Sequence, residues 1–559
     1  MGYTSKCRAV TGRWQDPRVV EIKGTRNMTS AEQAGSRRAF LRNVGIAGGA
    51  GTMFATMGAL GLAPTAAAAQ REAVFTSPGT GDFTLTGRAA ATVVVVGGGI
   101  AGLTAAYELG KAGYDCTVLE ARERTGGRNF TVRGGDTTVD TYGNRQTARF
   151  SEGQYMNAGP GRIPQWMVTM DYCRELGVPL EVFTNTNANA YLYNEKAGMK
   201  APVRYRTAKA DVYGYVSELL AKATDLGALD KALTVEDQER LMEFLKDFGD
   251  LGDTMKYEGS ERRGFSVDPA AAGTPGTQLG PVPDASEVFR SQVGRYFSFE
   301  FGYDQAMLMF QPVGGMDAIP KALTRAVGER RIRTGAAVTE ITDKADGVTV
   351  TYTRGGRTYA VEADYCIAAL PPNILAKTPH NLGGAVQSAL EACKPSSAGK
   401  IGLEYRSRWW ETDHRIYGGI TETDLDLAHI WYPSHGHNGR RGTLVGYYNY
   451  GSTADSYAAL TPPQRMERAV ANGVKIHGEK YRTELAAHFS HHWRQTPYLE
   501  AAWHSMAGGP DAAAFTPLNR AAGRVYFAGD HLSHTDAWQH GAFTSARKVV
   551  TSLHRRVLA

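Results

Sequence analysis

The chain has 559 residues, which is enough for about three domains with cores of their own. With 42% hydrophobic and 21% charged residues, it has the composition of a globular protein and not of a disordered one. The net charge of +6 arises within residues 1–69, which hold nine Lys or Arg and three Asp or Glu. The remaining chain is neutral, which argues against nucleic-acid binding, and its cysteines lack the spacing of a disulfide framework or a zinc site.

Residues 1–69 have the features of an export leader. The twin-arginine pattern SRRAFLR begins at Ser36, and an apolar stretch rich in Gly and Ala runs from Val44 to Leu62. Small residues follow, which predicts cleavage near Ala68 or Ala69. The alternative is a membrane anchor, but the glycines weaken the apolar stretch. The sequence therefore predicts a protein secreted by the twin-arginine pathway, with no stable membrane anchor.

A βαβ unit with a glycine-rich turn follows the leader. Thr92 to Val96 predicts a buried parallel strand, Leu103 to Ala112 a helix, and Asp115 to Glu120 a second strand. In the turn, Gly97, Gly99 and Gly102 permit a sharp bend, backbone approach to a pyrophosphate and close packing of helix on strand. Glu120 stands where a carboxylate holds ribose hydroxyls. The unit predicts a bound dinucleotide; a tight turn without a ligand is the alternative.

The predicted secondary structure of the remaining chain changes twice. Apolar periodicity from Ala208 to Phe248 predicts helices, and residues 259–287 are typical of a surface loop. Residues 348–361 then predict a β-hairpin, 365–370 a buried strand, and 524–553 a last strand followed by a helix. We therefore expect distant parts of the sequence to build one nucleotide-binding domain, with other domains inserted between them.

Three further motifs specify the nucleotide. They are the EARERTGGR run from Glu120 to Arg128, the GGMD segment from Gly314 to Asp317 with Val338 beyond it, and GRVYFAGD from Gly523 to Asp530. Together they resemble the flavin amine oxidase superfamily, and most closely its bacterial FAD-dependent L-amino acid oxidases. The resemblance covers nearly all of residues 90–555 and implies FAD as the cofactor. Ala502 stands where relatives with covalent flavin have Cys, so we expect non-covalent FAD.

The glycine fingerprint and the resemblance together predict the cofactor contacts. These contacts are Gly97, Gly99, Ala101, Gly102, Glu120, Ala121, Arg122, Gly127, Arg128, Gly159, Arg162, Val338, Asp530, Trp538 and Gln539.

The substrate site is predicted from the same resemblance. Arg162, in the segment NAGPGRIP, matches the family arginine that binds the substrate carboxylate, and a guanidinium suits that task because it is a planar, two-pronged donor. Tyr448 matches the family tyrosine that donates to the same carboxylate. From the residues alone, Arg162 could also be a surface arginine or part of an internal ion pair. Tyr447 or Tyr450 could take the place of Tyr448, and the aromatic strand could simply pack the core.

Five more residues complete the predicted site. Lys400 matches the family lysine that holds a water against the flavin, and a positive charge there would favour reaction with dioxygen. Trp503 and Trp538 match an aromatic cage in front of the flavin, and the carbonyl of Ala537 matches an acceptor for the substrate amine. Gln305 is a further pocket residue, or else a polar helix residue. A solvated lysine and two core tryptophans are the corresponding alternatives.

The expected fold is α/β, with a Rossmann-like FAD-binding domain, an inserted mixed-sheet substrate domain and an all-helical domain. The predicted segments are 83–144, 319–397 and 499–559 for the first domain, 145–207, 302–318 and 398–498 for the second, and 208–301 for the third.

The expected activity is oxidative deamination of L-amino acids to 2-oxo acids, with ammonia and hydrogen peroxide as products and dioxygen as the oxidant. An amine oxidase, an amino acid 2-monooxygenase and a non-catalytic flavin-binding protein are the alternatives. The helical domain resembles one that mediates dimers in bacterial relatives, so a homodimer is expected.

Overall fold

The computed structural model describes residues 83–305 and 308–559, all of them within one compact unit, Pro78–Ala559. The predicted leader, its twin-arginine pattern and its cleavage site lie outside the described residues.

The strands of the described part, in chain order, are β1 Thr92–Val96, β2 Asp115–Leu119, β3 Thr131–Arg133, β4 Thr137–Val139, β5 Arg145–Thr147, β6 Tyr155–Asn157, β7 Leu180–Thr184, β8 Tyr191–Tyr193, β9 Val203–Arg204, β10 Phe265–Val267, β11 Thr277–Gln278, β12 Leu308–Pro312, β13 Ile332–Arg333, β14 Ala337–Asp343, β15 Val348–Arg354, β16 Arg357–Ala363, β17 Tyr365–Ala368, β18 Lys394–Pro395, β19 Ala398–Tyr405, β20 Ile420–Thr423, β21 His429–Trp431, β22 Gly442–Tyr450, β23 Leu485–His492, β24 His504–Ser505 and β25 Val525–Phe527.

The α-helices are α1 Ile100–Lys111, α2 Thr169–Glu175, α3 Tyr205–Asp225, α4 Val235–Gly249, α5 Ala285–Arg290, α6 Ala318–Val327, α7 Pro372–Leu375, α8 Gly384–Ala392, α9 Trp409–Thr412, α10 Gly451–Ala458, α11 Pro462–His477, α12 Lys480–Thr483 and α13 Gln539–Leu558. Short 3-10 helices span Glu261–Arg263, Val293–Phe301, Glu329–Arg331, Trp493–Gln495, Ala513–Leu518 and Asp530–Leu532.

A parallel sheet of strand order β13-β2-β1-β17-β25 gathers segments from both ends of the described chain. Its central strand β1 consists of β-branched residues, and Val93 to Val96 are buried on both faces. One core packs α1, α6 and α13 on one face, and a second core covers the other face with β14, β15 and α8. The predicted βαβ unit, hairpin, strand at 365–370 and terminal strand–helix unit are all present.

A second, mixed sheet has the order β23-β19-β22-β21-β20-β8-β9. Its strand β19 is buried along its whole length because both faces are covered. Against one face packs an aromatic cluster that includes Trp409, Trp410 and Tyr481, together with α11. Against the other face pack Phe150 and Met156, which lie beside Gly402 of β19. The fold is therefore a Rossmann-like domain joined to a mixed-sheet domain, as the sequence indicates.

Helices α3 and α4 are the two long helices of the segment between β9 and β12. Thr234 caps α4 by accepting a hydrogen bond from the amide of Asp237. Two details differ from the sequence-based expectation. The helical run is interrupted at residues 226–234, and the predicted loop at 259–287 contains the short antiparallel pair β10–β11. The exact domain boundaries stay a prediction.

Two further features bear on the predictions made above. Within the described ranges, no helix is long and apolar enough to cross a membrane. Four cysteines of the described part are buried free thiols: Cys116, Cys173, Cys366 and Cys393.

Candidate active site

A cavity of about 370 Å³ lies where the carboxyl ends of β1, β2 and β17 face the mixed sheet. This is the edge at which parallel α/β sheets bind ligands. The predicted site residues that line it are Gly97, Gly99, Ala101, Glu120, Ala121, Arg122, Gly127, Arg128, Gly159, Arg162, Gln305, Lys400, Tyr448, Trp503, Asp530, Ala537, Trp538 and Gln539.

At one end, the glycine turn leaves no room for side chains. Gly97 has φ +105°, and a Cβ there would lie 2.7 Å from the carbonyl oxygen of Ala369. A Cβ on Gly127 would lie 3.2 Å from the Cα of Gly99, so two backbone segments nearly touch. Helix α1 begins immediately after Gly99 and presents free amide N–H groups to the cavity. Such a turn fits a pyrophosphate.

Glu120 closes the same end. Its carboxylate accepts hydrogen bonds from the amide of Gly98 (2.8 Å) and the amide of Arg122 (3.0 Å). These bonds fix the carboxylate at the end of β2, where it lines the cavity. A rigid, buried acceptor at this place fits ribose hydroxyls.

An ion pair spans the middle of the cavity. Arg128 bonds Asp530 through both guanidinium Nη atoms and donates to the carbonyl of Ala502 at 2.9 Å. Burial alone would raise the pKa of Asp530, but Arg128 lowers it to about 2. Asp530 also accepts from the amide of Ala537 (3.0 Å), a residue held at φ +64°. The ion pair therefore fixes the orientation of the strained turn at Ala537.

At the other end lies Arg162, which is 9% exposed. Its Nη2 donates to Oε1 of Gln305 at 3.0 Å, while its Nε has no hydrogen-bond partner among the described residues. The guanidinium carbon lies 4.6 Å from the ring centre of Trp431 and 5.7 Å from that of Phe299. Burial lowers the pKa of Arg162. None of the ion pairs in the described part includes this buried cation.

Lys400 enters the cavity from β19, opposite Tyr448 on β22. Its Nζ donates to the carbonyl of Gly159 at 2.5 Å and lies 4.4 Å from the ring centre of Tyr448 and 4.7 Å from that of Trp431. Burial, with a smaller contribution from Arg162, lowers the pKa of Lys400 to about 7. The lysine can therefore gain or lose a proton near neutral pH.

The two predicted tryptophans both line the cavity. Trp538 precedes α13, and its indole N–H donates to Asp304 at 2.9 Å. Trp503 lies 6.5 Å, centre to centre, from the ring of Tyr450. Gln539 bonds Asn129 and so joins α13 to the residue that follows the EARERTGGR run.

Two predicted cofactor residues do not line the cavity. Gly102 instead permits close packing, because a Cβ there would lie 2.0 Å from the carbonyl oxygen of Gly97. Val338 lies on β14 beside a bulge and packs against the second core of the parallel-sheet domain. Sequence reasoning also missed several lining residues: Asn129, Phe299, Asp304, Trp431 and His531. Tyr450, an alternative to Tyr448 from the sequence, lines the cavity as well.

Residues 100–554 match the family model described as flavin containing amine oxidoreductase. The chain belongs to this family. Its members contain flavin, and the glycine turn, Glu120 and the Arg128–Asp530 pair fit FAD. The chain is an FAD-dependent oxidoreductase.

Curated relatives and solved structures extend the family comparison. An L-amino-acid oxidase of Siganus canaliculatus is 28% identical, with 83% of this chain and 86% of the relative covered. An L-amino-acid oxidase of Gloydius blomhoffii is 27% identical, over 83% and 89%.

Among solved structures, cyclohexylamine oxidase from Brevibacterium oxydans IH-35A has a TM-score of 0.57 at 18% identity, over 84% of this chain and 100% of that one. Putrescine oxidase bound to putrescine has a TM-score of 0.53 at 18% identity, over 84% and 99%. These two similarities concern the fold.

Proposed function

We propose that the protein is an L-amino acid oxidase, which oxidises an L-amino acid to its imino acid and so yields a 2-oxo acid and ammonia. FAD, when bound, accepts the hydrogen of the substrate Cα with its electron pair and passes the electrons to dioxygen, which becomes hydrogen peroxide. Relatives named L-amino-acid oxidase, matched over 83% of this chain, support the proposal.

The observation that carries the proposal is the buried, unpaired guanidinium of Arg162. A buried charge is costly unless an opposite charge or strong acceptors compensate it, and here only Gln305 accepts. The Nε–H of Arg162 has no partner, and Nη2 has a second N–H besides the one that it donates to Gln305. These two neighbouring N–H groups can bind an anion in a bidentate way. An α-carboxylate suits these donors, whereas an amine without a carboxylate would leave the cation unpaired.

The other residues have supporting roles in this proposal. Tyr448 donates to the same carboxylate, Trp503 and Trp538 enclose the substrate, and the Ala537 carbonyl accepts from its amine. Lys400 supplies positive charge that favours the reaction with dioxygen. The predicted cofactor residues that line the cavity hold FAD without a covalent bond.

The test compares substrates that differ only by the carboxylate. Purified protein is given L-amino acids, their D-enantiomers and the matching decarboxylated amines, and hydrogen peroxide and ammonia are measured. We expect activity with apolar and aromatic L-amino acids and little with the amines. Arg162→Ala should raise the apparent KM for the best L-amino acid by about a hundredfold, since a charge-assisted bidentate contact contributes about 3 kcal/mol.

Arg440→Ala is the matched control, because Arg440 is exposed and away from the cavity. It should leave KM unchanged. Equal activity of wild type with amines and L-amino acids would show an amine oxidase, and an unchanged KM in Arg162→Ala would remove the proposed anchor. Formation of an amide in place of the 2-oxo acid would show a 2-monooxygenase.

Two further predictions from the sequence accompany this function. A homodimer would cover the exposed apolar residues of α3 and α4, such as Leu219 (49% exposed) and Val235 (75%), and sedimentation of the purified protein tests it.

Secretion by the twin-arginine pathway rests on the leader, and Arg37→Lys with Arg38→Lys should abolish export.

A further inference from the structure

Three polar side chains form a continuous chain from the interior of the mixed sheet to the cavity wall. The hydroxyl of Tyr450 lies 2.6 Å from Nε2 of His429, and Nδ1 of the same imidazole lies 2.7 Å from the carboxylate of Glu422. Tyr450 lines the cavity. The histidine and glutamate side chains lie behind it and are only 18% and 12% exposed.

The sheet fixes this arrangement. Glu422 on β20 and His429 on β21 are directly paired residues of neighbouring antiparallel strands. Tyr450 ends β22, two residues after Tyr448, so both tyrosines lie on the same side of the strand and line the cavity. The chain thus runs across three adjacent strands, which are rigid elements that hold side chains in place.

The carboxylate of Glu422 sets the direction of the hydrogen bond between Tyr450 and His429. It lies 2.7 Å from Nδ1 of His429 without hydrogen-bond alignment, and its charge favours the proton of the neutral imidazole on Nδ1, so Nε2 is an acceptor. The hydroxyl of Tyr450 therefore donates to His429. Its oxygen lone pairs stay available to a donor inside the cavity.

A substrate amino acid brings such a donor. In solution near neutral pH its amine is an ammonium, and the ammonium must lose a proton before the Cα hydrogen can leave with its electron pair. Arg162 is a cation and does not serve as an acceptor. Lys400 is held away from the amine by the hydrogen bond that its Nζ donates to the carbonyl of Gly159. Glu120 and Asp530 are already engaged by hydrogen bonds or by an ion pair.

Two other groups of the cavity are poorer acceptors. The carboxylate of Asp304 is bonded to the indole of Trp538. Burial lowers the pKa of His531 to about 4, and the neighbouring Arg128 adds to this effect. In the Tyr450 chain, in contrast, the carboxylate of Glu422 lies 2.7 Å from Nδ1 of His429.

We propose that the chain Tyr450–His429–Glu422 is a proton relay that takes the proton from the substrate ammonium. This inference rests on the proposed function. The substrate nitrogen gives a proton to the Tyr450 oxygen while the Tyr450 hydroxyl proton passes to Nε2 of His429. The products are a neutral amine and an imidazolium paired with Glu422, so one proton has moved and no electron has.

The charged and titratable groups around the relay are compatible with this transfer. Tyr448 lies 6.2 Å from His429, ring centre to ring centre, and Tyr205 and Tyr296 lie within the electrostatic reach of Glu422. Glu422 also acts electrostatically on Arg162. Once an α-carboxylate neutralises Arg162, the remaining carboxylate Glu422 favours a positive imidazolium.

The test follows the bleaching of the flavin by an L-amino acid without oxygen, at saturating substrate and between pH 6.5 and 9. In the wild type we expect a rate that changes little in this range. Without the relay, only substrate that is already neutral can react. In Tyr450→Phe and His429→Gln, the rate should therefore rise about tenfold per pH unit and approach the wild-type rate at high pH.

Binding of benzoate, a carboxylate without an amine, is the readout that does not depend on turnover. Its Kd should be unchanged in both variants, which shows that the Arg162 end of the cavity is intact. The matched control is His414→Gln. His414 is likewise a half-buried histidine bonded to a tyrosine hydroxyl, that of Tyr191 at 3.0 Å, but it lies outside the cavity. Its pH profile should match that of the wild type.

The outcomes separate the relay from the proposed function. A wild type that L-amino acids do not bleach at any pH would overturn both. Wild-type bleaching together with variant profiles that are parallel to it, lowered or not, would overturn the relay alone, because a residue that merely positions its neighbours lowers the rate at every pH.

Discussion

Lys400 is a charged residue that the fold holds at a cost in stability. Burial lowers its pKa from 10.5 to about 7, so the folded protein binds the lysine proton less tightly than the unfolded chain. Stability is therefore lost as pH falls from about 10.5 toward 7. At 1.36 kcal/mol per pKa unit, the loss at pH 7 amounts to about 4 kcal/mol.

Lys400→Met should remove this penalty, since methionine fills a similar volume without a charge. We expect a higher free energy of unfolding than in the wild type at pH 7, with a difference that shrinks as pH approaches 10. Urea unfolding at both pH values measures it. An equal effect at pH 7 and pH 10 would contradict the explanation. The control Lys394→Met, at an exposed position on β18, should change little at either pH.

The residues that sequence could predict are those whose role is set by local motifs. Arg162 and Lys400 lie in recognisable segments, and the structure brings both into the cavity. Trp431 could not be predicted in the same way, because it contacts Arg162 only after β21 pairs beside β22 in the mixed sheet. The same holds for the contact of Tyr450 with His429, because residues 432–441 separate β21 from β22 in the sequence.

Among the elements, the unit β1–α1 depends on one close contact. Gly102 lies in the first turn of α1, and a Cβ there would lie 2.0 Å from the Gly97 carbonyl oxygen, which is backbone and cannot rotate away. Gly102→Ala should therefore push the helix from the strand, lower the melting temperature and weaken FAD binding at least tenfold. Fluorescence of released flavin measures the affinity.

Gly110→Ala is the control within the same helix. A Cβ at Gly110 would meet only the end of the Arg331 side chain, at 3.4 Å, and alanine favours helix by about 0.5–1 kcal/mol over glycine. This variant should be as stable as the wild type or slightly more stable, with unchanged FAD affinity. If both variants lost FAD equally, the close packing at Gly102 would not be the cause.

The same distinction explains which elements the sequence predicts. β1 and β17 are continuous apolar runs, and α1 lies between a glycine turn and Gly113, so local pattern identifies them. β13 is only Ile332–Arg333 and exists because it pairs with β2, a contact that no local pattern announces. The pair β10–β11 was not predicted for a similar reason, because its residues are mostly exposed and show no apolar pattern.

At the scale of the whole molecule, buried neutral histidines determine how the protein responds to acid. Burial lowers the pKa of His491 and His504 to about 3 and that of His435 and His531 to about 4. The unfolded chain takes up protons on histidine near pH 6.5, whereas these folded sites do not. Stability is therefore intact above about pH 6.5 and is lost as pH falls toward the folded values.

The size of this effect decides the outcome. At pH 5 each of the four sites costs about 2 kcal/mol, or about 8 kcal/mol together, which is comparable with the whole stability of a typical domain. We expect the urea midpoint to fall steeply between pH 6.5 and 5, before carboxylates such as Asp530, whose pKa is about 2, begin to contribute. His435→Gln should make the fall of the urea midpoint between pH 6.5 and 5 less steep. The same substitution at the exposed His534 should leave the pH dependence of the midpoint unchanged. A midpoint that stays constant down to pH 4.5 would contradict the argument, because the four imidazoles would then gain protons without loss of the fold.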